Sequence, residues 1–150
     1  MVEEIAKISI NKVSDSRLPN VDWDNLPFGK VFSDHMFTMD YFDGQWQNPE
    51  IVPYGDISMS PATSVLHYGQ SCFEGMKAHK DNEGNVLLFR VNDNIKRLNI
   101  SATRMCMPEV PEDVFLEALK SLLNLDRGWV PSMDGYSLYI RPFLIATDPY

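Results

Sequence analysis

Two arginines are the strongest candidates for binding an anionic ligand, and the first is Arg97. It lies in a basic stretch between positions 90 and 104, where four basic residues accompany one acidic residue, Asp93, in an otherwise acidic chain. On a helix Arg97 falls about 200° from Ile95 and so points away from the apolar stripe. A guanidinium held off the core in this way can grip a phosphate or a carboxylate as a fork. The competing interpretation is a solvated helix face.

The second candidate is Arg141, in the run Tyr139-Ile140-Arg141-Pro142. Alternation along a strand places Tyr139 and Arg141 on the same face, about 7 Å apart. A charge within a strongly apolar strand is costly to bury unless it is paired. A hydroxyl and a guanidinium side by side would suit a small substrate that carries a carboxylate. The alternative is an arginine on the wet face of an antiparallel sheet.

Aromatic residues around the first predicted helix could enclose an apolar side chain. Phe28 lies upstream of this helix, and Tyr68 and Phe73 lie within it. Phe73 falls on the apolar stripe, where a core position is the more common outcome. Tyr68 lies beside the stripe and could face either way.

Other familiar chemistries find little support in the sequence. The three histidines, His35, His67 and His79, are too scattered to predict a metal site. The chain contains no GxSxG, GxGxxG or GxxxxGK[ST] motif. Cys72 and Cys106 have no CxxC spacing, and we expect both to be reduced, buried thiols.

The composition is that of one globular domain in an acidic protein. The 150 residues are 44% hydrophobic and 23% charged, and the net charge is −8. This charge disfavours binding to nucleic acid or to an anionic membrane. No apolar run approaches the ~20 residues of a membrane span. The acidic start, Met1-Val2-Glu3-Glu4, predicts neither a secretory signal nor a transit peptide, so we expect a cytoplasmic protein.

The elements that must position these residues begin with a hairpin. Residues 1–26 are predicted to be a polar lead-in that could contain one edge strand, and residues 27–150 to form the domain. Asp43-Gly44 predicts a hairpin turn after a strand within residues 31–42. The return strand is predicted at 50–52, because a proline brackets it on each side.

Three helices and further strands follow in the second part of the chain. Apolar spacing and capping residues predict the helices, and alternation and turn residues predict the strands. The predicted order is a helix from Thr63 or Ser64 to Gly75, a hairpin over 77–90, a helix that begins after Asn92 or Asp93 and stops at Pro108, a helix from Pro111 to Gly128, and one strand over 136–146. Short hairpins favour antiparallel pairing. The predicted class is therefore α+β, with a mainly antiparallel sheet and two to three packed helices.

Several motifs together resemble the branched-chain amino acid aminotransferases. The longest runs from Leu66 to Ala78 and contains Tyr-Gly-Gln-Ser-Cys-Phe-Glu-Gly-Met-Lys. The others, in chain order, are Phe28-Gly29-Lys30, Asp34-His35-Met36, Leu88-Phe89-Arg90, Asn94-Ile95-Lys96-Arg97-Leu98 and Tyr139-Ile140-Arg141-Pro142. The resemblance extends from about residue 22 to residue 150.

The resemblance implies a fold and a cofactor. This family has the type-IV fold of pyridoxal 5′-phosphate enzymes, with a small N-terminal domain, a larger C-terminal domain and the cofactor between them. The chain resembles the small domain only. The Schiff-base lysine is therefore expected beyond residue 150, and none of the lysines in this chain matches its setting. No catalytic residue is assigned to the chain, which we expect to be inactive and not to hold the cofactor by itself.

The resemblance also implies roles for the two arginines. Arg97 resembles the small-domain arginine that reaches the phosphate of the cofactor. Tyr139 and Arg141 resemble a pair on the substrate side, where the arginine helps to accept the distal carboxylate of glutamate.

The three aromatic candidates acquire roles in the same way. Phe28 and Phe73 resemble the walls around a branched aliphatic side chain. Tyr68 resembles a tyrosine that reaches towards the active site of the partner subunit.

The activity implied is reversible amino transfer between leucine, isoleucine or valine and 2-oxoglutarate by a homodimer, with glutamate and the 2-oxo acids as the other small-molecule partners. Two enzymes of the same fold are alternatives, a D-amino acid aminotransferase and an aminodeoxychorismate lyase. The pair Tyr139 and Arg141 speaks against both, because it resembles the branched-chain group. An alternative from another class is a non-catalytic, truncated interaction domain.

Overall fold

The computed structural model describes residues 7–149 and divides them into two compact units. Unit 1 contains residues 7–55 and 117–130, and unit 2 contains residues 56–116 and 131–149. Among these described residues no helix is both long and apolar enough to cross a membrane. The class is α+β with mainly antiparallel sheets, as predicted.

Unit 1 is built on a three-stranded sheet. Strands β1 (Ser9–Ile10), β2 (His35–Phe42) and β3 (Gln45–Pro53) lie in the order β1-β3-β2. The β2–β3 pair is the predicted hairpin around Asp43-Gly44, and β1 is the edge strand of the lead-in, paired parallel to β3. Most of helix α3 (Glu112–Leu125) belongs to this unit. The buried apolar side chains of unit 1 include Ile51, Ala118, Leu119, Leu123, Trp129 and Val130.

The return strand of the hairpin is longer than predicted. It begins at Gln45 and passes through Pro49, which the sequence analysis placed at its boundary. The register shifts between Thr38 and Asp40, and Asn48 adopts a positive φ of 54°. These features describe a β-bulge, where one residue is left out of the ladder. Because a bulge removes the need for a ladder N–H, the proline is tolerated inside the strand.

A buried polar network joins the lead-in of unit 1 to its C-terminal segment. Asp34 is 4% exposed and accepts hydrogen bonds from Ser16 Oγ (2.5 Å), Arg17 N (2.9 Å) and Trp129 Nε1 (3.0 Å). Burial alone would raise the pKa of Asp34, but these hydrogen bonds outweigh burial and lower the pKa to about 2. The carboxylate is therefore ionised at neutral pH and links residues 16–17 to Trp129.

His35 forms a second link of the same kind. Its Nδ1 lies 2.6 Å from Asp126 Oδ1, and its backbone N–H donates to Asp126 Oδ2 at 3.0 Å. The backbone N–H of Val13 donates to His35 Nε2 at 3.0 Å. Since Nε2 accepts a hydrogen bond, the ring hydrogen lies on Nδ1 and is donated to Asp126.

Unit 2 contains two small antiparallel sheets and two helices. Strand β4 (Ser71–Phe73) pairs with β8 (Phe143–Ile145), and β5 (Met76–Lys80) pairs with both β6 (Val86–Leu88) and β7 (Leu138–Ile140). The helices are α1 (Ser64–Tyr68) and α2 (Val91–Arg104). The hairpin of β5 and β6 confirms the prediction for residues 77–90.

The first helix is much shorter than predicted. It ends at Tyr68, because Gly69 adopts the left-handed conformation (φ 63°) that closes a helix, and its N–H bonds to Val65 O. The prediction that Gly75 ends this helix is wrong. Residues 71–73 form β4 instead, so the predicted helical stripe that included Cys72 and Phe73 does not exist. Tertiary pairing with β8 outweighs the helical spacing of these apolar residues.

The predicted single strand over 136–146 is two strands, β7 and β8. Arg141 and Pro142 separate them, and the chain passes here from the sheet of β5 to the sheet of β4. Pro142 has no N–H to donate to a ladder, which explains the break.

Helix α2 begins at Val91, earlier than predicted, and ends at Arg104. Ile95, Leu98 and Ala102 are buried as the apolar stripe predicts. Cys106 follows the helix with a φ of 55° and is exposed, so the prediction that it is buried is wrong. Cys72 is buried as predicted, and burial raises the pKa of its thiol.

The end of helix α3 also differs from the prediction. The helix begins at Glu112, after Pro111, but it ends at Leu125 rather than at Gly128. Gly128 lies in the short 3-10 helix Arg127–Trp129 that follows. A Cβ at this glycine would come within 2.6 Å of Leu18 Cδ2, so a side chain here would require the Leu18 side chain to shift within unit 1.

Candidate active site

The candidate site of unit 2 is built where two extended segments change partners. Residues 71–77 run antiparallel to residues 139–145, first as β4 with β8 and then as β5 with β7. Between the two ladders the N–H of Glu74 donates to Pro142 O at 2.9 Å. This hydrogen bond and the two ladders on either side of it place residues 73–75 opposite residues 141–143.

Tyr139 and Arg141 lie together, as the alternation predicted. The hydroxyl of Tyr139 accepts hydrogen bonds from Arg141 Nη2 at 2.8 Å and from Arg141 Nε at 3.2 Å. The guanidinium also lies 4.3 Å from the centroid of the Phe73 ring, which is a cation–π distance. Phe73 and Arg141 are both exposed. An aromatic face and a charged fork therefore meet at one accessible position.

Gly75 is the residue that allows Tyr139 to take this position. A Cβ at Gly75 would clash with the Tyr139 hydroxyl oxygen and lie 3.1 Å from its Cζ. A side chain at position 75 would therefore force the tyrosine ring to move.

Arg97 is oriented by a carboxylate that the sequence analysis did not single out. Its Nε donates to Glu74 Oε1 at 2.5 Å and its Nη2 donates to Glu74 Oε2 at 2.8 Å. The side chain of Arg97 is 68% exposed, whereas that of Glu74 is 4% exposed. The charged tip is thus fixed on one edge and open to solvent on the other.

The ionised state of Glu74 follows from its partners. The hydrogen bond from Arg97 lowers the pKa of this carboxyl most, burial raises it, and the hydrogen bonds from Asn94 and from the Gly75 N–H lower it further, to about 2. The pKa of Arg97 is raised by the same pair. Glu74 is consequently a permanent anion at physiological pH.

Two sequence-predicted candidates remain. Phe28 is highly exposed and belongs to unit 1. Tyr68 is exposed at the end of α1 and lines a depression of about 500 Å³ together with Gln70, Arg104 and Cys106. The structure thus brings together Phe73, Tyr139 and Arg141, and places Arg97 against the residue that follows Phe73.

Glu74 and Gly75 are the residues that sequence reasoning missed. Both lie in the longest motif, but Glu74 was given no role and Gly75 was predicted only to end the first helix. The available signal was a carboxylate and a glycine between the apolar residues Phe73 and Met76. A charge in that setting needs a buried partner, and the basic stretch of α2 is where such a partner could be sought.

The geometry of these groups allows recognition of two anions and an apolar group. The open edge of Arg97 can donate two parallel hydrogen bonds to a phosphate or a carboxylate. Arg141 can do the same for a second carboxylate, and the Phe73 ring beside it offers apolar surface. Among the described residues there is no cluster of His, Cys, Asp and Glu that could hold a metal ion.

Solved structures with a similar backbone define the class of protein. The branched-chain amino acid aminotransferase of Escherichia coli matches 66% of this chain with 31% of its own, at 28% identity and a TM-score of 0.54. A second branched-chain amino acid aminotransferase, solved with pyridoxamine 5′-phosphate, matches 66% of this chain with 32% of its own, at 28% identity and a TM-score of 0.50. The architecture is that of the small domain of a type-IV aminotransferase.

Sequence relatives narrow this class to one family. Branched-chain-amino-acid aminotransferase 2 of Bacillus subtilis is 49% identical over 140 residues, which are 93% of this chain and 39% of the relative. Branched-chain-amino-acid transaminase 1 of the same organism is 53% identical over 129 residues, or 85% of this chain and 36% of the relative. No protein-family model matches the chain. The chain belongs to the branched-chain aminotransferases and spans about two fifths of the length of these relatives.

Proposed function

We propose that the complete protein carrying this chain is a branched-chain amino acid transaminase. It transfers an amino group reversibly between leucine, isoleucine or valine and 2-oxoglutarate. The observation that carries the proposal is the placement of the Arg141 guanidinium against both the Tyr139 hydroxyl and the Phe73 ring. A site with Arg141 and Phe73 side by side can bind an apolar side chain in one half-reaction and a distal carboxylate in the other.

The cofactor of the proposed reaction is pyridoxal 5′-phosphate. Two structures of a similar branched-chain aminotransferase support this, since one was solved with pyridoxamine 5′-phosphate and the other with N-(5′-phosphopyridoxyl)-L-glutamate. The open edge of Arg97 fits a phosphate, because its Nη1 has no hydrogen-bond partner among residues 7–149. When bound, the cofactor supplies the carbonyl carbon that accepts the amino group and a ring that accepts the electron pair.

Each candidate residue of this chain has a binding task in the proposed reaction. Arg97 donates hydrogen bonds to the phosphate, and Arg141 donates to the distal carboxylate of glutamate. Tyr139 orients the Arg141 guanidinium through its hydroxyl. Phe73 and Phe28 contact the branched side chain and keep water from it, and Tyr68 reaches towards the site of a partner subunit. These residues select and orient substrates, and none of them carries the proton that is transferred.

The setting of the protein is part of the proposal. We infer a homodimer in the cytoplasm, with residues 27–150 as the small domain, residues 1–26 as its lead-in and the large cofactor-binding domain outside this chain. The described surface supports association, because Phe28, Tyr68 and Phe89 are large side chains exposed to solvent.

The experiment that tests the proposal measures cofactor retention and half-reaction rates in the complete protein. Arg97→Ala should raise the dissociation constant for pyridoxal 5′-phosphate and slow every substrate alike, since the cofactor serves both half-reactions. Lys96→Ala, its exposed neighbour on α2, is the matched control and should change neither. Unchanged cofactor retention in Arg97→Ala would restore the interpretation of Arg97 as part of a solvated helix face.

A further inference from the structure

Glu74 is a buried anion whose carboxylate is fixed by hydrogen bonds. Besides the two hydrogen bonds from Arg97, it accepts one from Asn94 Nδ2 at 3.0 Å and one from Gly75 N at 3.3 Å. A buried carboxylate is tolerated only when its oxygens are satisfied in this way. Oxygen Oε2 accepts three of these four hydrogen bonds and Oε1 accepts the fourth, so the plane of the carboxylate is itself fixed.

The hydrogen bonds to Glu74 determine which atoms of Arg97 remain available. The carboxylate occupies the Nε–Nη2 edge of the guanidinium. Because the guanidinium is planar, fixing one edge fixes the direction of the other N–H groups. A mostly exposed arginine without such a partner would sample many rotamers, and a ligand would have to immobilise it on binding.

We propose that Glu74 is a positioning residue, which holds the Arg97 guanidinium in the one orientation that binds the cofactor phosphate. This inference rests on the proposed function. It has a consequence that charge alone would not predict. The Glu74 carboxylate repels a phosphate bound to Arg97. If this repulsion were the dominant effect, removing the charge of Glu74 would tighten cofactor binding. If the orientation of Arg97 is dominant, removing it would weaken cofactor binding.

The decisive variant is therefore Glu74→Gln in the complete protein, which removes the charge and keeps the shape. We expect its dissociation constant for pyridoxal 5′-phosphate to rise about two- to tenfold, the range for a side chain that must be immobilised on binding. The measurement is equilibrium dialysis of the apoprotein, which does not depend on catalytic activity. Asp93→Asn is the matched control, since Asp93 forms an exposed ion pair with Arg90 at the start of α2, the helix that carries Arg97.

A double-mutant cycle tests whether Glu74 acts through Arg97. In the Arg97→Ala background Glu74→Gln should weaken cofactor binding no further, because no guanidinium is left to orient. An equal weakening in both backgrounds would overturn the proposal, and so would unchanged or tighter binding in Glu74→Gln alone.

A second variant carries the same test if Glu74→Gln does not fold. Asn94→Ala loosens the carboxylate without removing either charge, and it should weaken cofactor binding in the same direction by a smaller factor. Unchanged binding in a folded Asn94→Ala protein would overturn the proposal.

The Arg97→Ala variant separates this proposal from the proposed function. If Arg97→Ala itself leaves cofactor binding unchanged, the role of Arg97 in the proposed function fails as well. If Arg97→Ala weakens binding and the Glu74 and Asn94 variants do not, only the positioning role fails.

Discussion

The guanidinium of Arg141 lies 4.3 Å from the centre of the Phe73 ring. The two residues come from different strands, β4 for Phe73 and the link between β7 and β8 for Arg141. A guanidinium is only weakly hydrated, so it can rest on an aromatic face without losing much solvation. This contact places a charged group at the edge of an apolar surface, as the proposed binding of both leucine and glutamate requires.

Arg141→Ala should separate the two half-reactions of the proposed enzyme. It removes the partner of the distal carboxylate, which costs about 1.5–3 kcal/mol, or roughly ten- to a hundredfold in kcat/KM for glutamate and 2-oxoglutarate. Leucine, isoleucine and valine should be largely spared because the Phe73 ring remains. Half-reaction kinetics measure this difference, and an equal loss for leucine and glutamate would show that the role given to Arg141 is wrong.

Gly75→Ala should disturb the same half-reaction from a distance. The new methyl group would clash with the Tyr139 hydroxyl, so the ring must move and Arg141 loses its acceptor. Overpacking of this kind costs about 1–3 kcal/mol of stability. The variant should unfold at lower urea concentration and lose rate with glutamate. Gly55→Ala is the control, since nothing lies within 4 Å of a Cβ there, and it should change neither quantity.

Asp34 predicts how the stability of the protein depends on pH. Its pKa is about 2 in the folded protein and 3.8 when unperturbed, so its contribution is complete above about pH 4 and is lost as the pH falls towards 2. The difference corresponds to about 2 kcal/mol. Asp34→Asn should lower the free energy of unfolding at pH 7 by about this amount.

The difference in stability between wild type and Asp34→Asn should shrink between pH 4 and pH 2. Urea unfolding at a series of pH values measures it, and Asp40→Asn, an exposed position on β2, serves as the control. A difference that stays constant down to pH 2 would contradict the account of Asp34 as a buried, hydrogen-bonded anion.

The 150-residue chain by itself should form no specific covalent adduct with pyridoxal phosphate. A lysine that captures an aldehyde stoichiometrically at neutral pH needs an amine whose pKa is lowered, by desolvation or by a neighbouring cation. Lys80 is half-buried and the other described lysines are exposed. Borohydride reduction followed by mass spectrometry should reveal only scattered, substoichiometric labelling. Stoichiometric labelling at one lysine would refute the expectation that this chain is inactive alone.

Local sequence patterns predicted the parts of the fold that depend on neighbouring residues. The turn at Asp43-Gly44 and the hairpin of β5 and β6 follow from turn residues and alternation. The patterns failed where distant pairing decides the outcome. Residues 71–73 have helical spacing but form β4, because β8 offers a ladder and Gly69 has already ended the helix.

The residues of the candidate site also fall into those that local patterns predicted and those that depend on distant contacts. Period-two alternation was enough to place Tyr139 beside Arg141, since both lie in one short segment. The partner of Arg97 could not be found in this way, because Glu74 lies 23 residues earlier in the chain and is brought to α2 by the fold. The spacing of charges along one helix carries no information about a carboxylate on another element.

The pairing of β4 with β8 has a consequence for how the protein is made. Glu74 and Pro142 are joined by a hydrogen bond, yet the whole of α2 and α3 lies between them in the chain. During synthesis on the ribosome, β4 emerges long before its partner strand exists. Closing so large a loop is entropically costly and slow compared with forming a hairpin or a helix turn. The contact between Phe73 and Arg141 should therefore be among the last contacts of unit 2 to form as the nascent chain folds.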